Sequence, residues 1–207
     1  MKKVLVIYND SSKESYKNLV KLLDKDKYIK EGVTFNNLNT ININDYDIIF
    51  PLVEDKNLIE ELIIKHKIYV GNKLNSINYN NINNKGDTVV VALIGNKGKI
   101  IKSKIGYIDK LDNKIIIPYK IDKEKEAKVY KISEELYNNF NINNYCLMFF
   151  NIFEDVKILK IDTKYNYTKN NLLSTLFNYS NITNKELLDI LINIAVNNYT
   201  RGEDYDM

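Results

Sequence analysis

Residues 143–168, NNYCLMFFNIFEDVKILKIDTKYNYT, predict a β-hairpin, because two apolar, aromatic-rich segments flank a turn at residues 154–155. Alternate residues of a strand face opposite sides of the sheet. Cys146, Met148 and Phe150 are therefore expected to share one face of the first strand. The hairpin indicates antiparallel sheet in this part of the chain.

Strands alternate with helices in the first third of the chain. A short apolar run at residues 4–8 predicts a buried strand, and apolar residues recurring at helical spacing predict a helix after it. This helical stripe consists of Tyr16, Leu19, Val20 and Leu23. Further strands are predicted at residues 33–35, 47–51 and 68–70, and a further helix at residues 58–66. The alternation predicts an α/β fold with a small, mostly parallel, layered sheet.

The second half has a different order of elements. The sequence GNKG is typical of a hairpin turn, and Asp122 is predicted to cap a long helix. Strands are predicted at residues 88–94, 99–105 and 114–118. The buried stripe of the helix is predicted to be Val129, Ile132, Leu136 and Phe140. A capping box at residues 183–186, TNKE, predicts a last helix through Ala195, so an α+β domain with an antiparallel sheet is expected.

A polar segment separates the two halves. Residues 75–86, NSINYNNINNKG, show no apolar periodicity and end on a glycine, which is typical of a linker. The predicted division is therefore a first domain at residues 1–76, a linker at residues 77–86, a second domain at residues 87–200, and a frayed, charged tail at residues 201–207.

Composition indicates a globular protein that does not read nucleic-acid sequence. The chain has 207 residues, and the 44% that are hydrophobic are enough for a buried core. Its 30 basic residues nearly balance its 27 acidic residues, and Arg201 is the only arginine. Arginine is the side chain best suited to gripping bases and phosphates with two hydrogen bonds, so sequence-specific nucleic-acid binding is not expected.

Single copies of histidine and cysteine restrict the chemistry that the chain can perform. His66 and Cys146 stand alone in the sequence, which excludes an internal disulfide and a cysteine-rich zinc site. We interpret them as a surface imidazole and a core thiol rather than as a catalytic dyad. The apolar run at residues 4–8 is too short for a signal-peptide core, and no segment approaches the roughly 18 apolar residues of a membrane span. A cytoplasmic protein without membrane insertion is expected.

Several short sequence motifs occur in the order found in D-alanine–D-alanine ligases, the ATP-grasp enzymes that make the dipeptide end of peptidoglycan precursors. They are NDSSKE at residues 9–14, DIIFP at 47–51, IYVGNKLNS at 68–76, GDTVVVALIGN at 86–96, IIIP at 115–118, IDT at 161–163 and ITNKELLDILINIA at 182–195. The chain resembles this bacterial family along both halves. The resemblance implies an N-terminal domain like the one that precedes the ATP-grasp core, followed by a domain like the C-terminal part of ATP-grasp ligases.

The departures from the family pattern imply a shortened and degenerate member. Between Ser76 and Gly86 the family inserts its central ATP-binding subdomain, and the segment here is too short for even one βαβ unit. The family's glycine-rich loop is replaced by LVEDKN at residues 52–57. The loop that carries a catalytic tyrosine is reduced to residues 106–113, in which Tyr107 is a candidate remnant.

The family's metal-binding positions carry unsuitable side chains here. By the resemblance, Cys146 stands at the family's charge-stabilising arginine, Met148 and Lys160 at its magnesium-binding aspartate and glutamate, and Asp162 at its asparagine. Magnesium requires hard oxygen ligands, which a thioether and an ammonium do not provide, so no metal is expected. Lys160 and Asp162 are interpreted as a partly exposed ion pair; the alternative is that Lys160 replaces the metal charge and meets a phosphate. Cys146, Met148 and Phe150 are interpreted as a former active-site face that has become ordinary core.

Two residues near the start of the chain are candidates for substrate binding. By the resemblance, Ser12 and Glu14 are candidate substrate-binding residues, because the matching glutamate helps to fix the first D-alanine. However, residues 11–14 also predict a capping box in which Glu14 returns to the Ser11 amide. Asn171 stands where the family has a further substrate-binding serine.

Three functions remain open at this stage. The first is a ligase-like pseudoenzyme that acts as a binding or regulatory module in peptidoglycan precursor metabolism, paired with a protein partner, with a full-length ligase, or with itself through the first domain. The second is a residual ATP-dependent carboxylate–amine ligase, and ATP and magnesium are expected as cofactors in this case alone. The third is a structural component of a spore or envelope-associated assembly.

Overall fold

A computed structural model describes residues 1–73, 76–79, 86–96, 98–109, 112, 114–164, 166–168 and 171–201. Among these residues, no helix is long and apolar enough to cross a membrane. The described residues form two sheets, one parallel and one antiparallel, so the predicted α/β architecture is confirmed.

The first sheet is parallel and contains four described strands in the order β2-β1-β3-β4. The strands are β1 (Lys2–Tyr8), β2 (Tyr28–Thr34), β3 (Ile48–Pro51) and β4 (Ile68–Tyr69). Helix α1 (Lys13–Leu22) follows β1, and helix α2 (Lys56–Ile64) follows β3. Strand β1 is a continuous apolar run because helices and loops cover both of its faces.

Alternate residues of β1 belong to two different apolar clusters. Val4 and Val6 pack in the cluster that includes Leu19 of α1. Leu5 and Ile7 pack in the cluster that includes Leu58 and Leu62 of α2. The period of two along the strand therefore assigns each helix to its own side of the sheet.

The second sheet is antiparallel and contains seven described strands, ordered β5-β11-β10-β6-β8-β9, with β7 also paired to β6. The strands are β5 (Ile77–Asn78), β6 (Thr88–Asn96), β7 (Lys99–Lys102), β8 (Gly106–Asp109), β9 (Lys114–Ile116), β10 (Asn144–Asn151) and β11 (Lys157–Asp162). The predicted hairpin at residues 143–168 is thus β10 and β11.

The predicted linker contains a short strand. Ile77 and Asn78 form β5 and pair with Ile161 and Lys160 of β11, so the polypeptide joins the second sheet directly after the first. Two residues are too few to show an apolar period, so this strand could not be predicted from the sequence. Residues 80–85 of the predicted linker lie outside the described residues.

The turn between β6 and β7 depends on a glycine. Gly95 has a φ of +155°, and a Cβ at this position would lie 2.2 Å from the carbonyl oxygen of Lys99. Any side chain would therefore collide with the neighbouring backbone. The GNKG motif predicted this turn correctly, although its Lys97 lies outside the described residues.

Helix α3 (Lys123–Asn139) covers one face of the second sheet. As predicted, Asp122 caps it, and its Oδ1 accepts hydrogen bonds from the backbone N–H groups of Glu124 and Lys125. The buried stripe is Val129, Ser133 and Tyr137, with Ile132 and Leu136 partly buried. The prediction that Phe140 belongs to this stripe is wrong: it follows the last helical residue and is 36% exposed.

Helices α4 (Leu172–Asn178) and α5 (Asn184–Arg201) cover the opposite face of the second sheet. The capping box before α5 is confirmed, because Glu186 Oε2 accepts from the Thr183 backbone N–H at 2.8 Å and the Thr183 hydroxyl accepts from the Glu186 N–H at 3.3 Å. The helix continues past Ala195 to Arg201, the first residue of the predicted tail. Residues 202–207 lie outside the described residues.

Helix α5 joins the two sheets into one core. A single apolar cluster contains Val6 of the first sheet, Ala92 and Leu147 of the second sheet, and Leu191 of α5. All four side chains are at most 8% exposed. Packing across the helix therefore helps to set the relative position of the two sheets.

Candidate functional site

A cleft of about 840 Å³ lies between the two sheets. One wall is formed by the loops that follow β1, β3 and β4 at the carboxyl ends of the parallel strands, where α/β folds usually bind ligands. The other wall is the segment that follows β11. Most of the lining residues are polar, among them Ser12, Glu14, Asn72, Ser76, Lys164 and Asn166.

The wall after β1 begins with a short 3₁₀ turn at Asp10–Ser12. Asn9 Oδ1 accepts a hydrogen bond from the Ser12 N–H at 3.0 Å, and Ser12 Oγ accepts one from the Asn9 N–H at 2.9 Å. The capping box therefore joins Asn9 and Ser12, and the predicted box of Ser11 and Glu14 is wrong. The short amide side chain of Asn9 caps the 3₁₀ turn that precedes α1. Helix α1 itself has no side-chain cap.

This arrangement separates the roles of the two predicted substrate-binding residues. The Ser12 hydroxyl is engaged with Asn9, so its main task is to shape the turn. Glu14 lies in the first turn of α1, is exposed and lines the cleft. Its carboxylate can therefore accept hydrogen bonds from a bound ammonium or hydroxyl group.

Asn72 and Ser76 fasten the inner side of the cleft. Asn72 Nδ2 donates to the carbonyl oxygens of Tyr145 at 2.7 Å and Thr163 at 3.0 Å. Ser76 Oγ donates to Asp162 Oδ1 at 2.9 Å and accepts from the Thr163 N–H at 3.2 Å. These bonds tie the segment after β4 to β10 and to the end of β11.

The side-chain oxygen of Asn72 differs from its nitrogen in having no partner in the part of the chain that the structure describes. Asn72 Oδ1 is buried, and it has no hydrogen-bond partner among the described residues. A buried acceptor without a donor is costly, so a ligand that brings an N–H or O–H group to it would be favoured. The sequence offered one sign of Asn72: a polar side chain directly after a parallel strand.

Lys160 and Asp162 form an ion pair at the edge of this network. Lys160 Nζ lies 2.5 Å from Asp162 Oδ2, and the two side chains are 37% and 18% exposed. Asp162 Oδ1 accepts from Ser76 and from the Lys164 N–H at 3.1 Å. Burial by itself raises the pKa of Asp162, but the hydrogen bonds from Lys160, Lys164 and Ser76 outweigh it and hold this pKa below its ordinary value.

The hairpin register decides which residues can share a site with this pair. Asp162 lies directly opposite Leu147, and Lys160 lies opposite Phe149. Met148 lies opposite Ile161, on the other face of the sheet. The structure therefore brings Lys160 and Asp162 together with Leu147 and Phe149, and does not bring Met148 to them.

Cys146 and Met148 are core residues. Both are 0% exposed and pack with Val129 and Tyr137 of α3 in one apolar cluster. Their interpretation as ordinary core is confirmed, but their assignment to the same former metal site as Lys160 is not supported by the geometry. A shift of one residue in a motif match moves every side chain to the opposite face, so a one-residue error is sufficient to produce this difference.

The residues around the pair do not fit a magnesium ion. An ammonium lies against one carboxylate oxygen of Asp162, and the other oxygen already has two hydrogen-bond donors. The facing strand presents Leu147 and Phe149, which have no oxygen ligand. In the part of the chain that the structure describes, no three His, Cys, Asp or Glu side chains are grouped so that they could hold a metal.

Two other predicted positions, Tyr107 and Asn171, lie away from this pair. Tyr107 pairs with Val89 on the face that α3 covers, and it stacks on Tyr119 with ring centroids 4.6 Å apart. Asn171 caps α4 by accepting from the Ser174 N–H at 2.8 Å. Burial raises the pKa of the Cys146 thiol well above its ordinary value, which argues against a thiolate nucleophile.

No protein-family model matches this sequence, and no curated protein matches it. Solved structures, in contrast, are similar over nearly the whole chain. The D-alanine–D-alanine ligase from Bacillus anthracis in complex with ATP has a TM-score of 0.80 at 14% identity, with 97% of this chain and 99% of that chain covered. The D-alanine–D-alanine ligase from Coxiella burnetii has a TM-score of 0.79 at 13% identity, with 97% and 95% covered.

A ligase with a different named substrate is also similar. The VanG D-Ala:D-Ser ligase from Enterococcus faecalis has a TM-score of 0.75 at 12% identity, with 94% of this chain and 99% of that chain covered. Identities this low establish a common fold and nothing finer. The chain has the fold of the D-alanine–D-alanine ligases, with the parallel and antiparallel sheets of an ATP-grasp ligase.

Proposed function

We propose that this protein is a ligase-like pseudoenzyme that binds a small polar ligand in the cleft and does not join substrates. One observation carries this proposal: Lys160 and Asp162 pair with each other, opposite Leu147 and Phe149, where a ligase would need oxygen ligands for magnesium. The setting that we propose is peptidoglycan precursor metabolism, in which the protein acts as a binding or regulatory module.

The chemistry of ligation explains why this pair matters. Joining a carboxylate to an amine with ATP passes through an acyl phosphate, so negative charge has to be stabilised throughout, and metal ions usually do this. An ammonium about 4 Å from another unit charge of the same sign is disfavoured by about 4 kcal/mol at an effective dielectric of 20. Lys160 therefore opposes a divalent ion at this place.

Lys160 is also poorly placed to replace the metal. A phosphate would have to draw its ammonium away from Asp162, whose side chain is 18% exposed. The carboxylate would then lose its closest charged partner in a partly buried position, which is unfavourable. This competition favours the ion pair over the alternative in which Lys160 meets a phosphate.

The cleft presents a carboxylate to an amine-bearing ligand. The exposed Glu14 carboxylate lines the cleft and accepts hydrogen bonds, which an ammonium group donates. The similar structures are ligases named for D-alanine. We therefore propose D-alanine, or a peptide that ends in it, as the ligand class.

A protein partner completes the proposal. A module without catalysis acts by holding or presenting its ligand. The partner that we propose is a full-length ligase, or a second copy of this chain bound through the first domain. Capture of the protein from its native cell, followed by identification of bound proteins, tests this. Recovery of a ligase or of a homodimer supports the partner proposal, and recovery of neither opposes it.

Ligand binding is tested by thermal unfolding with D-alanine, with L-alanine as the stereochemical control. At about 100 times the Kd, a ligand specific to the folded state adds about 2.7 kcal/mol to the free energy of unfolding. We expect D-alanine to raise the Tm of the wild type, and Glu14→Gln to reduce that shift. Glu135→Gln, which removes an exposed carboxylate outside the cleft, serves as the control. Equal shifts with both alanine enantiomers, or no shift at all, would refute D-alanine as the ligand.

A further inference from the structure

We propose that the ion pair between Glu54 and Lys164 is a latch that bridges the mouth of the cleft and restricts the entry of a ligand. The inference rests on the proposed function in taking this cleft as the ligand-binding site. The two residues are 110 positions apart in the chain and meet across the cleft.

The latch joins the two walls of the cleft. Glu54 lies in the loop between β3 and α2, on the side of the parallel sheet. Lys164 lies two residues after the end of β11, on the side of the antiparallel sheet. A longer contact of 3.5 Å between Ser15 Oγ and Asn166 Oδ1 crosses the same gap.

The backbone on each side of the latch is fixed. The Lys164 N–H donates to Asp162 Oδ1 at 3.1 Å, and Asp162 is itself held by Lys160 and Ser76. Glu54 precedes Asp55, which caps α2 by accepting from the Leu58 N–H at 2.7 Å. The mobile parts of the latch are therefore its two side chains.

The two sides of the cleft differ in strength. The Lys164 and Glu54 side chains are 53% and 69% exposed, and ion pairs this exposed are weak and are screened by salt. The bonds of Asn72 and Ser76 on the inner side are part-buried, and such hydrogen bonds are harder to break. The cleft is therefore expected to widen at its mouth, where the two side chains part, while the inner side keeps its hydrogen bonds.

Thiol labelling is a suitable test of the latch because Cys146 is buried. This single cysteine of the chain is fully buried, so a new cysteine within the cleft can be followed by its reaction with a thiol reagent. Ser15→Cys places that thiol on the cleft wall, at a position that is 6% exposed and in contact with Asn166. Its labelling rate in the full chain reports opening of the mouth, and labelling of Cys146 in the same sample reports global unfolding.

In the Ser15→Cys background, we expect Glu54→Gln to raise the labelling rate about two- to five-fold, the range that an exposed ion pair can supply. The matched control is Glu60→Gln, which breaks the pair of Lys56 and Glu60 on the same cleft wall, where both partners belong to α2. This control should leave the rate unchanged. High salt should speed labelling of the background chain and have little effect once Glu54 is neutral. Exchange of the two charges, Glu54→Lys with Lys164→Glu, should restore the slow rate.

Equal rates in Glu54→Gln and Glu60→Gln, with no labelling of Cys146, would overturn the latch. A second measurement needs no new cysteine: carbodiimide coupling of the unmodified chain should yield a Glu54–Lys164 amide, detected by mass spectrometry and suppressed by salt. Absence of this product would also overturn the latch. Neither experiment contains D-alanine, so the two proposals can fail separately. If the latch is detected but D-alanine does not bind, the proposed ligand is wrong and the latch stands.

Discussion

Asp162 shows how one carboxylate organises the end of a strand. It accepts from an ammonium, a hydroxyl and a backbone N–H, which come from Lys160, Ser76 and Lys164. These bonds keep its pKa below the ordinary value in the folded state. The carboxylate of this ion pair thus connects the hairpin to the segment after β4.

Asp162→Asn should lower the free energy of unfolding by about 1–3 kcal/mol at pH 7, because a charged acceptor of several hydrogen bonds is lost. A lowered folded-state pKa stabilises the protein above the unfolded value of about 4, and this stabilisation is lost as pH falls through the folded-state pKa. The difference between wild type and variant should therefore shrink below about pH 4. Urea unfolding from pH 7 to pH 2 measures it, with the exposed Glu135→Gln as control. A constant difference across this range would contradict the role given to Asp162.

At the scale of elements, sequence patterns predicted most strands and helices but not how they face one another. Apolar runs located β1 and β6, and capping residues located the starts of α3 and α5, because these signals are local. The face of the sheet on which Met148 lies depends on strand register, and a shift of one residue reverses that face. The motif resemblance does not determine the register to one residue. The cap at Asn9 was not predicted because the neighbouring Ser11 is also a suitable capping residue. The strand at Ile77–Asn78 was not predicted because it is too short to show a pattern.

The register can be tested by a charge at Met148. Met148→Asp would bury a carboxylate in an apolar cluster, and we expect a loss of at least about 3 kcal/mol in the free energy of unfolding. Met148→Leu, which keeps the volume, should cost less than about 1.5 kcal/mol. Urea denaturation with circular dichroism measures both. A well-tolerated Met148→Asp would mean that this side chain lies on the cleft side of the sheet, opposite to the face described.

At the scale of the whole molecule, the cleft results from packing that no local pattern reveals. Its walls come from segments far apart in the chain, such as Ser12 and Asn166, and α5 sets their separation by packing against both sheets. The sequence predicted Glu14 as a candidate because a motif marked it, whereas Asn72 and the Glu54–Lys164 pair required the folded chain.

The most direct measurement is phosphate release from ATP by the purified full chain, with magnesium and saturating D-alanine, next to a complete D-alanine–D-alanine ligase as positive control. We expect no release above the rate without protein, both for the wild type and for Lys160→Glu. Phosphate release that depends on D-alanine and is abolished by Glu14→Gln would contradict the pseudoenzyme and establish a working ligase.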